Sequence, residues 1–453
     1  MEIPVKVGDV LKGEIKDLSH EGKGILKVDN FTLFVEGGLI GDIAEVGVIN
    51  VKKRFGLGKV LNIIEPSKDR INSKCNISNI CGGCQFQELQ YIKQLQWKKN
   101  KVKMDLVKIG GISQVEVNDT LGMEDPLRYR NNVQIPVGFQ DNKVVLGFYE
   151  KGSYEIANMN KCIIQPEIGD KTAEIIKNWM EKYNIKAYNK VSKKGILRHI
   201  GIRTNKDNKA MLILVTAVDK LPYEKELIDM LISNLKDIES IYQNINKMNT
   251  SVTYGRSFKK LYGKDKLIDW IGDYRFYISP NSFFQVNRIQ SKVLYDKVVE
   301  YLDLRKEDTV FDLYCGIGTI SLYLAYKAKK VYGVEIIKEA ILDAKENAKL
   351  NNISNVEFIE GKSEEIFPRL MKKGVKGNKV VLDPPRKGCE KEVLETIIEM
   401  VPEKVVYVSC NSTTMARDVA FLVENGYKVE EVQPVDMFPM TSHVECVVLI
   451  ERG

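Results

Sequence analysis

The spacing of apolar positions changes character along the chain. Residues 1–66 carry short apolar–polar alternations, such as Val10-Leu11-Lys12-Gly13-Glu14-Ile15 and Phe31-Thr32-Leu33-Phe34-Val35. Gly22, Gly24, Gly37, Gly38 and Gly41 part them. Short strands with glycine turns between them predict a small β-barrel. A cysteine-bearing loop follows at 75–84. Leu95, Val102, Leu106 and Ile109 then predict one face of a helix, which Gly110-Gly111 stops. Its other face carries Lys93, Lys98, Lys99, Lys101, Lys103 and Lys108 and reads as a solvated lysine surface, with a phosphate-tracking face as the alternative. From about 125 to 275 the pattern is mixed and strand-rich, as in Val133-Gln134-Ile135-Pro136-Val137 and Ala210-Met211-Leu212-Ile213-Leu214-Val215. Beyond about 290, apolar runs at 309–315, 331–335, 355–360, 379–383, 404–409 and 443–450 are separated mostly by helical stretches. That alternation predicts a mostly parallel sheet covered on both faces. The expected fold is multidomain α/β. A small barrel spans 1–66 and a mixed α+β central domain spans 67–275. A Rossmann-like domain spans 276–453, and the helix near 93–110 is a candidate to pack on it.

Composition adds little to this picture. The chain has 453 residues, 44% apolar and 28% charged, which is ordinary for globular domains and excludes wholesale disorder. A net charge of +7 neither demands nor excludes nucleic acid. No apolar run approaches the roughly 20 residues of a membrane span. The start, Met1-Glu2-Ile3-Pro4-Val5-Lys6, lacks the features of a signal peptide, so a cytoplasmic location is expected. Eight cysteines are too few for a disulfide scaffold of this length.

Candidate chemistry gathers at strand ends. Val310-Phe311-Asp312-Leu313-Tyr314-Cys315 runs into Gly316-Ile317-Gly318-Thr319-Ile320-Ser321 and a helix. Gly316 and Gly318 let the backbone approach a ligand closely. The third glycine of a dinucleotide site is replaced by Ser321, which disfavours a diphosphate. The next strand ends in Glu335, 17 residues beyond Gly318, where a carboxylate can accept both ribose hydroxyls. An adenosine ligand without a pyrophosphate is expected, and S-adenosylmethionine fits.

Two further strands end in Asp383-Pro384-Pro385-Arg386 and Ser409-Cys410-Asn411. Prolines after Asp383 force an extended exit from the sheet. Methyltransferases that act on exocyclic amines carry an aromatic residue where this chain has Arg386, which argues against an amine acceptor. Cys410, before a helix, faces the expected methyl donor. Uracil carbon-5 is too weak a nucleophile to attack that donor unaided, and a thiolate adding to carbon-6 activates it. Such chemistry also needs a base for the carbon-5 proton. In His443-Val444-Glu445-Cys446, alternation places His443 and Glu445 on one face, and Glu445 is a carboxylate within an apolar run. Cytosine carbon-5 methylation would use similar thiolate logic. Cys75, Cys81 and Cys84, with a distant fourth cysteine and no nearby histidine, suit zinc or a [4Fe–4S] cluster. Three close ligands and one remote one look more like the cluster.

Together these stretches resemble the bacterial RNA uracil-5-methyltransferases, most closely the iron–sulfur branch that modifies 23S ribosomal RNA. The resemblance also rests on Gly22-Lys23-Gly24, on 279–287 (Ser279-Pro280-Asn281-Ser282-Phe283-Phe284-Gln285-Val286-Asn287), and on Phe438-Pro439. It implies that residues 1–66 form a TRAM-like OB barrel. It implies Cys410 as nucleophile and Glu445 as base. It implies that Gln285, Tyr314, Glu335 and Asp383 contact S-adenosylmethionine. Cys162 is implied as the fourth ligand, with Cys75, Cys81 and Cys84, of a [4Fe–4S] cluster. The implied partner is 23S ribosomal RNA, with transfer RNA as the alternative, and the implied state is a monomer. Ser412 stands where some relatives have proline, and Thr319 where some have asparagine.

Overall fold

A computed structural model describes residues 3–141, 143–250 and 252–453. The first six strands are β1 (Val10–Glu14), β2 (Asp17–Leu18), β3 (Gly24–Val28), β4 (Phe31–Glu36), β5 (Ile43–Val51) and β6 (Phe55–Glu65). They form one sheet in the order β1-β5-β6-β4-β3-β2. Its inward positions, including Ile15, Leu33, Val35, Ala44 and Val46, are wholly buried, as period-two alternation requires.

Helix α1 (Tyr91–Lys108) leaves this unit and lies on the far end of the chain. Its buried stripe is Gln94, Lys98, Val102 and Leu106, with Trp97 beside it. This corrects the expected lysine face. Lys98 is fully buried, whereas Ile109 is 45% exposed. The spacing of four residues along the stripe is helical, but two of its members are polar.

The central unit contains β7 (Asn132–Gln140), β8 (Lys143–Tyr149), β9 (Ile156–Asn158), α2 (Glu167–Lys182), β10 (Leu197–Thr204), β11 (Ala210–Thr216), α3 (Glu224–Asn234), β12 (Ile238–Ile245) and β13 (Ser257–Gly263). The sheet order is β13-β12-β11-β10-β7-β8-β9. Every residue of β11 is buried, because the strand faces two cores. Ala210, Leu212 and Leu214 pack with residues of α2 and α3. Met211, Ile213 and Val215 pack with Leu294, Tyr295 and Val310 of the following unit. At about 1.5–3 kcal/mol per buried aliphatic side chain, that shared core ties the two units together.

A hairpin, β14 (Leu267–Ile271) with β15 (Tyr274–Ile278), leads into the last unit. There follow α4 (Arg288–Leu302), β16 (Thr309–Leu313), α5 (Thr319–Ala325), β17 (Lys330–Glu335), α6 (Lys338–Leu350), β18 (Val356–Glu360), α7 (Ser363–Lys372), β19 (Lys379–Leu382), α8 (Lys391–Met400), β20 (Lys404–Ser409), α9 (Ser412–Glu424), β21 (Tyr427–Val435) and β22 (Glu445–Arg452). The sheet order is β18-β17-β16-β19-β20-β22-β21, with β22 antiparallel to both neighbours. β21 is an addition to the strands expected from sequence. The last strand begins at Glu445, so His443 lies in the irregular stretch before it and is exposed, not on a shared strand face with Glu445. Among the described residues, no helix is long and apolar enough to cross a membrane.

Candidate active site

The parallel strands end together at one sheet edge, where an open α/β sheet binds its ligands. At the first turn Tyr314, Gly316 and Gly318 all have positive φ, at 70°, 55° and 82°. A Cβ on Gly318 would meet Phe358 at 2.7 Å, whereas one on Gly316 would meet nothing within 4 Å. Gly316 therefore borders open space. Glu335 accepts from the Gly316 amide at 3.2 Å and from the Ile337 amide at 2.9 Å, so its carboxylate is fixed beside that space. The Tyr314 ring packs on the apolar cluster that includes Leu313 and Leu382, and its hydroxyl is buried without a partner.

Gln285 is 7% exposed, in the segment between β15 and α4. Asn131 donates to its carbonyl at 2.9 Å. Asn287, two residues on, accepts from Gln290 at the start of α4 and donates to the Met437 carbonyl at 3.1 Å. Of the neighbouring phenylalanines, Phe284 is core at 3% exposure and Phe283 stands out at 70%.

Cys410 and Glu445 are brought together by strand register. Ser409 is opposite Cys446 in the antiparallel ladder of β20 and β22. One step further places Cys410 across from Glu445, and opposed residues of such a pair share a face. Asn411 caps α9, its side chain accepting from Thr413 at 3.2 Å, so Cys410 lies just before a helix N-terminus. Burial raises Glu445 to about 8, and the neighbouring Asp383 charge adds to the rise. Asp383 is itself raised to about 7 by burial and by Asp312. Burial lifts the Cys410 thiol to about 11, helped by the charges of Glu445 and Asp383 and opposed by Arg386.

Arg386 is the site residue that sequence reasoning passed over as a role. Asn411 and Thr414 donate to its carbonyl at 2.9 and 3.2 Å, which holds its loop against α9. Its position after the two prolines was the available signal. Asp312 was also passed over. It is buried, and the Ser321 hydroxyl donates to it.

Cys75, Cys81, Cys84 and Cys162 line a separate cavity of about 370 Å³ with Ile77, Phe148 and Met159. All four are free thiols. Burial raises Cys81 and Cys162 and pushes Cys84 up to about 12. The Gly83 amide donates to the Cys81 sulfur at 3.4 Å. Among the described residues, no three His, Cys, Asp or Glu side chains are grouped to hold a metal ion.

Comparison with known proteins shows the family. The profile of the tRNA (Uracil-5-)-methyltransferase family matches residues 90–453, and that of the TRAM domain matches 4–61. An uncharacterized RNA methyltransferase of Clostridium tetani is 51% identical over 99% of this chain and 98% of its own. One from Bacillus cereus is 47% identical over 100% and 98%. In three dimensions the chain is similar to the Pyrococcus abyssi tRNA (uracil-54, C5)-methyltransferase solved with S-adenosyl-L-homocysteine. The TM-score is 0.77, with 28% identity, covering 97% of this chain and 100% of that one. The chain belongs to the tRNA (uracil-5-)-methyltransferase family of RNA methyltransferases.

Proposed function

We propose that the protein methylates carbon-5 of uridine in 23S ribosomal RNA. The carrying observation is the ladder of β20 and β22, which ends with Ser409 opposite Cys446 and so brings the adjoining Cys410 and Glu445 to the ligand edge. Bound S-adenosylmethionine supplies an electrophilic methyl group. Gln285, Tyr314, Gly316, Gly318, Glu335 and Asp383 are the residues assigned to hold it, with Glu335 on the ribose. The target uridine leaves its stack to reach the pocket. Cys410 adds as thiolate to carbon-6, and the electron pair released onto carbon-5 takes the methyl group. Glu445 then removes the carbon-5 proton, the carbon–sulfur bond breaks, and Cys410 leaves as thiolate. Arg386 favours the thiolate by its charge.

Four cysteines line this one cavity, an all-thiol donor set of the kind that suits a [4Fe–4S] cluster. Cys75, Cys81, Cys84 and Cys162 would ligate it, in a structural role.

Ribosomal RNA is the first reading because the cysteine set resembles that branch. Transfer RNA is the second, because the similar Pyrococcus abyssi enzyme acts on a tRNA uracil and aligns with 97% of this chain. The test offers tritiated S-adenosylmethionine with unmodified 23S ribosomal RNA and, separately, transfer RNA to anaerobically purified protein, followed by nucleoside analysis. 5-Methyluridine in the ribosomal RNA is expected. Label confined to transfer RNA transfers the mechanism to the second substrate, and 5-methylcytidine overturns the base assignment.

A further inference from the structure

Residues 436–444 join β21 to β22 and deliver Glu445 to the sheet edge. Helix α1 grips this segment from one side. The Lys98 ammonium donates to Asp436 and, at 3.0 Å, to the Phe438 carbonyl. Both Lys98 and Asp436 are fully buried. The Tyr91 hydroxyl donates to the other Asp436 oxygen at 2.8 Å. Gln94 accepts from the Met440 amide at 3.0 Å. From the other side, Gln85 and Phe86 of the cysteine loop donate their amides to the Met440 carbonyl at 3.0 Å. The same helix reaches the nucleophile's loop. Lys101 donates to the Ser412 hydroxyl at 2.7 Å, and that hydroxyl donates to Asp105 at 2.5 Å. Ser412 is two residues from Cys410.

A buried ion pair is a poor device for stability alone, since apolar residues of similar volume serve as well or better. What it adds is direction, because charge, distance and angle are fixed together. Resting on the uridine reaction above, we propose that α1 is a positioning element for catalysis. Lys98, acting on Asp436 and the Phe438 carbonyl, sets where the Glu445 carboxylate stands relative to the carbon-5 proton. Lys98 touches no reactant. It acts through the 436–444 segment, and Lys101 and Asp105 hold the Cys410 side of the same pair.

The test compares full-length wild type with Lys98→Met, the Lys98→Met/Asp436→Asn double variant, and Tyr91→Phe. Thermal midpoint, S-adenosylmethionine affinity, kcat, KM and the fraction of protein covalently bound to methylated RNA are measured. Lys98→Met should lose stability by leaving Asp436 unpaired, and the neutral double variant should regain it. In the double variant kcat should stay about a hundredfold down, the scale of an ångström-sized misplacement. Cofactor affinity should be unchanged and the covalent adduct should accumulate, because addition and methyl transfer proceed while proton removal lags. Recovery of turnover along with stability, or loss of turnover without adduct, overturns the proposal. Tyr91→Phe, which keeps the ion pair, answers the question if Lys98→Met does not fold. A smaller fall in kcat with adduct is expected, and wild-type kcat contradicts it. Wild-type protein that makes no 5-methyluridine overturns the reaction itself.

Discussion

Cys410 and Cys84 carry the same thiol into opposite settings. Cys410 is partly exposed, sits before a helix N-terminus, and has Arg386 beside it. Cys84, also partly exposed, shares one cavity with three other cysteines, and burial lifts it to about 12. Burial lifts Cys410 as well, to about 11, but there Arg386 and the helix N-terminus pull toward the thiolate that a visiting substrate needs. The four-cysteine setting makes thiolates costly unless a cation stays among them. A cysteine's role is therefore set by the charges and space around it. The two regions also meet, since Gln85 and Phe86, next to Cys84, hold the Met440 carbonyl in the segment that carries Glu445.

If that contrast is right, substitutions should break it unequally. Cys410→Ala should abolish methyl transfer while leaving the thermal midpoint and S-adenosylmethionine binding near wild type, read by tritium transfer and calorimetry. Glu445→Gln should reduce turnover by about 10²- to 10⁴-fold, the usual worth of a positioned base. It should also accumulate an RNA–protein adduct on denaturing gels.

The raised value of Glu445 gives two signatures with pH. Wild-type turnover should climb as pH rises through about 8, where the base becomes free of its proton. Stability runs the other way. The folded protein keeps this proton where the unfolded chain has released it, so the contribution is complete below the ordinary value of 4.5 and is lost as pH rises through about 8. Glu445→Gln should therefore be more stable than wild type at about pH 9 and nearly equal to it at about pH 4, by denaturant melts.

Cys84→Ser should act more mildly on catalysis. Metal content should fall, and turnover should drop by about tenfold, the lower end of effects from groups outside the reacting centre. Amide exchange should quicken in 436–444, because the Gln85 and Phe86 donors loosen with the cysteine loop. Unchanged exchange there would separate the two regions. The smallest effect is expected from Gly316→Ala, about 1–2 kcal/mol of backbone strain at positive φ with no clash, seen as a lowered midpoint and weaker cofactor binding.

Much of the methyltransferase unit was legible because its central strands are buried on both faces and read as unbroken apolar runs, as in Val405-Val406-Tyr407-Val408. β21 was not, since charged Lys428, Glu430 and Glu431 interrupt it and a register shift between Val429 and Glu431 breaks its period of two. The positions of the glycine turn and of Glu335 at the end of β17 were readable because both follow from spacing within one strand–helix–strand unit. Lys98 was misread for the opposite reason. Its charge assigned it to solvent although its spacing from Val102 and Leu106 puts it on the buried stripe, and its partner Asp436 lies 338 residues away. His443 was misplaced because alternation was extended two residues too early, into the irregular stretch that precedes the strand.

The central claim is that Cys410 forms a covalent bond to uracil carbon-6 under the control of Glu445. RNA carrying 5-fluorouridine tests it most directly, because fluorine leaves no carbon-5 proton to remove. With S-adenosylmethionine present, wild-type protein should become trapped on the methylated RNA, and peptide mass spectrometry should place the link on Cys410. Turnover of normal RNA with no trapped complex on the fluorinated RNA, or a link on any other residue, would contradict it.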